Sequence, residues 1–282
     1  MSTRPTASAG ASFPVRRPAG SGRSPRPGRR GIAPETILGP LLLVGLVVGG
    51  WHVMASTSDS TLLPGLGEIG DAIGRIVGDG AASTLWVTVV RVLLGFTLAF
   101  VAAIAAGLLM ARSRWARAIL EPAVLIGLTV PGLVWALLAV IWFGLAQTGP
   151  VLAVALSAAP PLVLNVYQGA KAVDPGLIEM AHVFRFDRRT RLTRLWLPAL
   201  VPFLLSGARL GLSLSWKVIV LVEMFGASEG VGYELNTAFS DQDVAAVLAW
   251  TIVFGVVMVL IEYGILRTVE RRVTRWRKAA IV

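Results

Sequence analysis

Residues 85–111 read LWVTVVRVLLGFTLAFVAAIAAGLLMA, 27 residues with a single charge, Arg91. A helix needs about 20 mostly apolar residues to cross roughly 30 Å of hydrocarbon. A helix that is apolar on every side belongs in a large protein core or in a membrane. Composition decides between the two. The chain of 282 residues is 55% hydrophobic and only 15% charged, whereas soluble domains carry about a quarter charged residues. Lipid is therefore the expected second solvent.

Working outward, five further apolar stretches lie at 37–56, 122–143, 150–167, 199–225 and 244–266. The prediction is an all-α, polytopic membrane helix bundle with six transmembrane helices. Pro131 interrupts the third stretch, Pro160–Pro161 lie inside the fourth, and Pro198 and Pro202 fall at the start of the fifth. Membrane helices tolerate proline where neighbours satisfy the freed backbone groups, so the spans are expected to pack together. Gly207–Gly211 and the series Ala99, Ala103, Ala106 and Gly107 supply small residues for close helix contacts.

The net charge of +10 is distributed by segment. Segments 1–36, 112–117, 168–197 and 267–282 hold 22 Lys and Arg, and segments 57–84, 144–149 and 226–243 hold one, Arg75. Positive residues collect in cytoplasmic loops. Both termini are thus expected in the cytoplasm, in an inner (cytoplasmic) cell membrane. The charge is topological, which argues against nucleic acid as a partner. Residues 1–36, rich in Pro, Gly, Ser and Arg, read as a disordered basic cytoplasmic tail. Residues 37–84 read as the first span plus an external interfacial segment, 85–266 as the main membrane domain, and 267–282 as a basic cytoplasmic C-terminus. Within 64–84, Leu66, Ile69, Ile73, Ile76 and Val77 follow a helical period opposite Glu68, Asp71, Arg75 and Asp79, as in an amphipathic interfacial helix.

Several chemistries are excluded. Cysteine is absent, which removes disulfides and thiolate sites. No Walker A sequence occurs, so no ATP is bound in the P-loop manner. Gly65-Leu66-Gly67-Glu68-Ile69-Gly70 matches GxGxxG but lacks the strand and βαβ unit that a dinucleotide site requires. His52 and His182 fall on opposite sides of the predicted membrane and build no joint metal site. No catalytic constellation, metal site or cofactor site is expected.

Ionisable residues within spans, where they are costly, include Arg91, Arg209, Lys217, Glu223 and Glu262, the last a candidate partner for Arg209. Snorkelling to the interface is the favoured reading of Arg91. Arg209 and Lys217 are about 80° apart around a helix and Lys217 and Glu223 about 120°. They form no sharp stripe, which argues against a proton relay and for a watery cavity or pairing with other spans.

The longest cytoplasmic loop, 168–197, has its own helix signals. Asp174-Pro175 supplies an N-cap and a first helical proline. Leu177, Ile178, Ala181 and Phe184 give an apolar side, and a second helical stretch over Arg188–Leu197 is expected to stop at Pro198. Glu179-Met180-Ala181 followed by Leu195-Trp196-Leu197-Pro198 resembles the EAA loop of bacterial ABC importer permeases. Leu62-Leu63-Pro64, Arg91-Val92-Leu93-Leu94-Gly95-Phe96, Trp142-Phe143-Gly144, Val173-Asp174-Pro175, Glu223-Met224-Phe225-Gly226-Ala227-Ser228 and Gly230-Val231-Gly232-Tyr233 resemble the nitrate/sulfonate/taurine branch. The likeness covers about residues 60–275. Two positions depart from the pattern: Met180 replaces an alanine, and Arg185 replaces a glycine that would permit a left-handed turn.

The resemblance implies an ABC transmembrane type-1 (MetI-like) fold. It also implies a permease subunit, not an enzyme, that forms the pathway for a small solute, with anions such as a sulfonate, taurine or nitrate foremost. Its partners would be an extracytoplasmic solute-binding protein, a separate ATP-binding-cassette ATPase that binds the ATP, and a second identical permease. Residues 175–184 would be the coupling helix, with Glu179 and Ala181 on its docking face and Asp174, Met180, Arg185, Leu195, Leu197 and Pro198 around it. Asn165, Tyr167, Arg209, Trp216, Lys217 and Glu223 are candidates for the route, Lys217 suiting either an anion or an internal ion pair. The rival reading is a self-contained secondary transporter or an intramembrane enzyme.

Overall fold

The computed structural model describes residues 35–57, 62–144 and 147–273. The predicted tail, apart from its last two residues, and the last nine residues lie outside them. Helix α1 (Glu35–Thr57) covers the first expected span, although its apolar stretch, Leu41–Thr57, is shorter than the other spans. From His52 onward the chain forms one compact unit. Its helices are α2 (Leu66–Gly78), α3 (Ala81–Arg112), α4 (Arg114–Thr129), α5 (Gly132–Phe143), α6 (Thr148–Lys171), α7 (Pro175–Val183), α8 (Arg188–Arg191), α9 (Leu197–Gly226), α10 (Val231–Ser240) and α11 (Val244–Val273). No strand occurs among the described residues.

Four helical segments are individually long and apolar enough to cross a membrane: α3, α6, the continuous run 188–226, and α11. A fifth crossing is broken. The expected third span is two helices, α4 and α5, whose axes differ by 107°. Pro131 causes the break. It has no N–H to continue α4, and it forces Val130 into an extended conformation, φ −71° and ψ 121°. The Pro131 carbonyl then accepts from Val134 N (2.9 Å) and Trp135 N (3.3 Å) to start α5.

Contacts place this break at mid-depth. At the base of α4, Arg117 stands 5.5 Å from the ring centroid of Tyr167, near the C-terminus of α6. Higher up, Gly127 lies against Pro160 at the middle of α6, and Gly132 against Val218 of α9. Beyond them Ala139 approaches Gly149 at the start of α6. The pair therefore rises from one end of the bundle to the other with a sharp turn halfway.

Helix α6 is the most buried span and α11 the least. It stays helical through Pro160–Pro161, both buried, and packs between α3 and α9. Small residues allow that approach, as expected. A Cβ at Gly107 would fall 2.7 Å from the Val166 side chain, and one at Gly211 would fall 3.0 Å from Leu162. One core gathers Val92, Val154, Leu212, Trp216, Ile219 and Phe254, and a second gathers Ala99, Ala103, Ala155, Ala158 and Leu162. Helix α2 is the amphipathic helix foreseen at 64–84. Ile69 and Ala72 are buried, and the helix packs on α11. Helix α10 was not foreseen.

The second half of the 168–197 loop also departs from expectation. The helix does not stop at Pro198. Helix α8 runs through a π-helical turn, Leu192–Trp196, directly into α9. Leu197 N donates to Leu192 O, five residues back. A wider turn just before a proline relieves the clash between its ring and the carbonyl four residues earlier.

Candidate functional site

The chain 172–198 builds a helix–turn–helix at the end of the bundle where α6 finishes and α9 begins. Helix α7 starts as its sequence dictates: Asp174 Oδ1 accepts from Gly176 N at 2.7 Å, and Pro175 occupies the first turn. Its far end is a Schellman turn. Arg185 N donates to His182 O and Phe186 N to Ala181 O, both 3.0 Å. Such a turn needs a left-handed residue at its corner, and Arg185 takes that conformation at φ 48°. The arginine thus keeps the geometry usually left to glycine. The Asp187 carboxyl is held below its ordinary aspartate pKa chiefly by the neighbouring Thr190 hydroxyl and, more weakly, by nearby backbone amides.

The faces of α7 are sorted sharply. Leu177, Met180, Val183 and Phe184 are exposed, Phe184 to 67%, and Glu179 is exposed beside them. Ala181 is 1% exposed. Of the two residues assigned to a docking face, Glu179 points outward, whereas Ala181 is packed within the chain. Leu195 is half-buried and Pro198 partly so, and Leu197 is exposed. Leu195 lies in the π-helical turn, and Leu197 and Pro198 begin α9.

A second feature lies at the α4–α5 break. Gly127, Val130, Gly132, Ser157, Pro161, Lys217 and neighbouring leucines enclose a cleft of about 390 Å³. Lys217 is exposed, and among the described residues no ion pair or hydrogen bond is formed by its ammonium group.

The third feature is a buried ionic cluster at the opposite end from α7. Arg91 Nη1 donates to Glu223 Oε1 at 2.9 Å and to the Glu229 carbonyl at 2.8 Å. Its Nη2 reaches Glu229 Oε1 at 2.9 Å, and its Nε reaches Gln147 Oε1 at 3.1 Å. Thr88 Oγ1 donates to the Glu223 carboxylate and accepts from Val231 N, while Gly232 N donates to Glu223 Oε2. Glu223 is fully buried and Arg91 is 4% exposed. Arg91 therefore does not snorkel; it clamps α3, the start of α6, the end of α9 and the turn before α10.

The candidates for a route separate accordingly. Lys217 lines the cleft, and Arg209 is exposed on the same helix. Trp216 does not line the cleft: it is fully buried and stacks edge-on against Phe254. Glu223 belongs to the ionic cluster. Asn165 donates to Pro161 O at 2.9 Å and packs against Gly207, which is a helix contact. Tyr167 sits between Arg117 and Lys171 at the α7 end. Thr88, Gln147 and Glu229 were not foreseen. The one available signal was a pair of acids, Glu223 and Glu229, flanking a turn near Gly230.

A family model described as "Binding-protein-dependent transport system inner membrane component" matches residues 99–275. The chain is 31% identical over 242 residues to a putative aliphatic sulfonates transport permease protein of Bacillus subtilis, covering 85% of this chain and 87% of that protein. It is 31% identical over 198 residues to the taurine transport system permease protein of Escherichia coli, covering 69% and 72%. It is 23% identical over 235 residues to a nitrate import permease protein of Synechocystis, covering 80% and 86%.

Proposed function

The chain belongs to the binding-protein-dependent transport system inner membrane component family, and from that premise we propose that it imports a small anion, works as two identical copies, and is driven through α7. Family membership makes it the permease subunit of an ATP-binding-cassette importer, with the all-α type-1 (MetI-like) fold. It is a multi-pass membrane protein and a transport component, not an enzyme, and it works with an ATPase and a solute-binding protein.

The observation that carries the mechanism is α7. At the arginine-rich end, a helix fixed at both termini leaves Leu177, Met180 and Phe184 exposed. An exposed apolar stripe of that kind is a docking element. The Lys and Arg asymmetry puts that end in the cytoplasm, where the ATPase is. ATPase closure moves α7, and the α8–α9 continuity carries the movement into a span. Access then changes sides by a shift between two packed states.

The substrate class rests on the relatives, named for sulfonates, taurine and nitrate, whose solutes share a negatively charged oxyanion group. The homodimer rests on the family resemblance.

The experiment is Glu179→Arg in the full importer reconstituted in vesicles. Loss of both uptake and permease-dependent ATPase stimulation, with assembly intact, is the expected result. Wild-type values for both would remove α7 from the coupling path.

A further inference from the structure

Lys217 is nine residues from the end of α9 at Gly226, about 14 Å along the axis at 1.5 Å per residue. A lysine stem reaches only about 6 Å, too short to snorkel to that end. The residue is level with the α4–α5 break, since the neighbouring Val218 touches Gly132. It is exposed, forms no ion pair among the described residues, and opens onto the cleft that Ser157 and the first turn of α5 also line. An ammonium facing hydrocarbon at this depth is strongly disfavoured. Glu223, the buried acid on the same helix, is already saturated by Arg91, Thr88 and Gly232, and among the described residues no acid pairs with Lys217.

We propose that this cleft is an oxyanion-binding step on the transport route, with Lys217 as the counter-charge to a small solute such as nitrate or an alkanesulfonate. The proposal rests on the permease reading above. The cleft volume, about 390 Å³, falls within the range of small-ligand sites, roughly 300–1,000 Å³. The lining is otherwise mostly apolar, but two of its features suit the same ligand. Ser157 has a hydroxyl to donate. Gly132 and Leu133 are the first residues of a helix, where amides lack intrahelical acceptors and the helix dipole favours negative charge. A helix broken at mid-depth in this way exposes backbone donors only where they line a cavity.

The chain contains no cysteine, so Lys217→Cys places the one thiol of each permease copy at the cleft, and the same reagents applied to the wild-type importer control for thiols in the other subunits. The full importer, with its ATPase and binding protein, would be reconstituted in vesicles, and ATP-driven uptake of nitrate and of an alkanesulfonate measured. Lys217→Arg is expected to retain uptake, and Lys217→Gln and Lys217→Cys to lose at least tenfold. Treating the cysteine variant with an aminoethyl methanethiosulfonate, which restores a cation, should recover uptake. The sulfonatoethyl reagent, which adds an anion, should not.

Wild-type uptake in the assembled glutamine variant overturns the proposal. So does equal recovery with both reagents, or failure of the glutamine and cysteine variants alike to assemble, which would make Lys217 a packing or dimer residue. A wild-type complex that moves neither anion, nor any other solute, with ATP refutes the permease reading itself. A wild-type complex that moves only neutral or cationic solutes leaves that reading intact and overturns this one.

Discussion

Arg91 on α3 and Glu223 on α9 meet at 2.9 Å with both side chains withdrawn from solvent. They are 132 residues apart in sequence, yet their contact fixes where α9 ends and α10 begins. The pair is not isolated. Thr88, Gln147, Glu229 and two backbone amides complete the hydrogen bonding, and only a saturated buried pair of this kind offsets its desolvation cost.

Arg91→Leu or Glu223→Leu leaves the other charge buried without its partner. Each is expected to destabilise the purified permease by about 3–5 kcal/mol. The double variant should cost less than the sum of the two, since neither orphan charge remains. Denaturant titration of the three variants checks this, and strict additivity would deny the coupling.

Gly230 and Gly232 are fitted to the same carboxylate. Gly230 has φ +113°, and a Cβ there would fall 2.5 Å from the Glu223 carboxylate. Gly230→Ala should therefore cost about 1–3 kcal/mol from the strained conformation alone, with more from the displaced carboxylate. Gly74→Ala, where a Cβ meets nothing within 4 Å, is the control and should be neutral or mildly stabilising. A thermal-shift comparison separates the two.

What could be read in the sequence was local. Asp174-Pro175 announces the start of α7 because capping is a two-residue event. Position 185 is one of two departures from the pattern, and Arg185 adopts the left-handed turn that a side chain is expected to resist. The pairing of Arg91 with Glu223 left no local trace, since nothing in either helix's periodicity names a partner on another helix. Trp216 and Lys217 are adjacent, yet one is in the core and the other in the cleft. In a helix that is apolar on most sides, the sequence does not say which side faces protein. Pro131 was visible, but a proline within an apolar run is compatible with a mild kink or with the 107° turn found here. Only the packing of Gly127 on Pro160 and Gly132 on Val218 selects the latter.

Arg185→Gly relieves the left-handed residue at the Schellman corner. The gain expected is about 1 kcal/mol of local stability. It should appear as slower hydrogen exchange at the amides of Arg185 and Phe186, which donate to His182 and Ala181. Unchanged or faster exchange would mean that the arginine side chain makes compensating contacts.

The start of α8 should be acid-sensitive. The Asp187 carboxyl has a lowered pKa in the folded chain, so its contribution is complete above the ordinary aspartate value. It is lost as pH falls through the lowered one. Exchange protection of the Thr190 amide, corrected for intrinsic rates, should therefore decline as pH falls below the ordinary aspartate value. Asp187→Asn should flatten that profile, because the amide does not titrate.

The outward stripe of α7 gives the sharpest test of force transmission. Phe184 is 67% exposed and Met180 40%, so replacing Phe184 removes less packing from the permease than replacing Met180. Phe184→Ala is expected to leave its thermal stability within about 0.5 kcal/mol, as for surface sites, and Met180→Ser to cost more. A buried apolar contact with an ATPase is different. Full burial of one large side chain contributes about 1.5–3 kcal/mol, and each 1.4 kcal/mol is tenfold in affinity. Each variant should therefore weaken ATPase association about ten- to a hundredfold, and uptake should fall in step. Ala181→Ser is the contrast, because Ala181 is packed within the chain. It should disturb α7 itself, lowering stability before affinity. Unchanged association in the Phe184 and Met180 variants would place the ATPase elsewhere, with the π-turn hinge at Leu192–Trp196 as the next surface to probe.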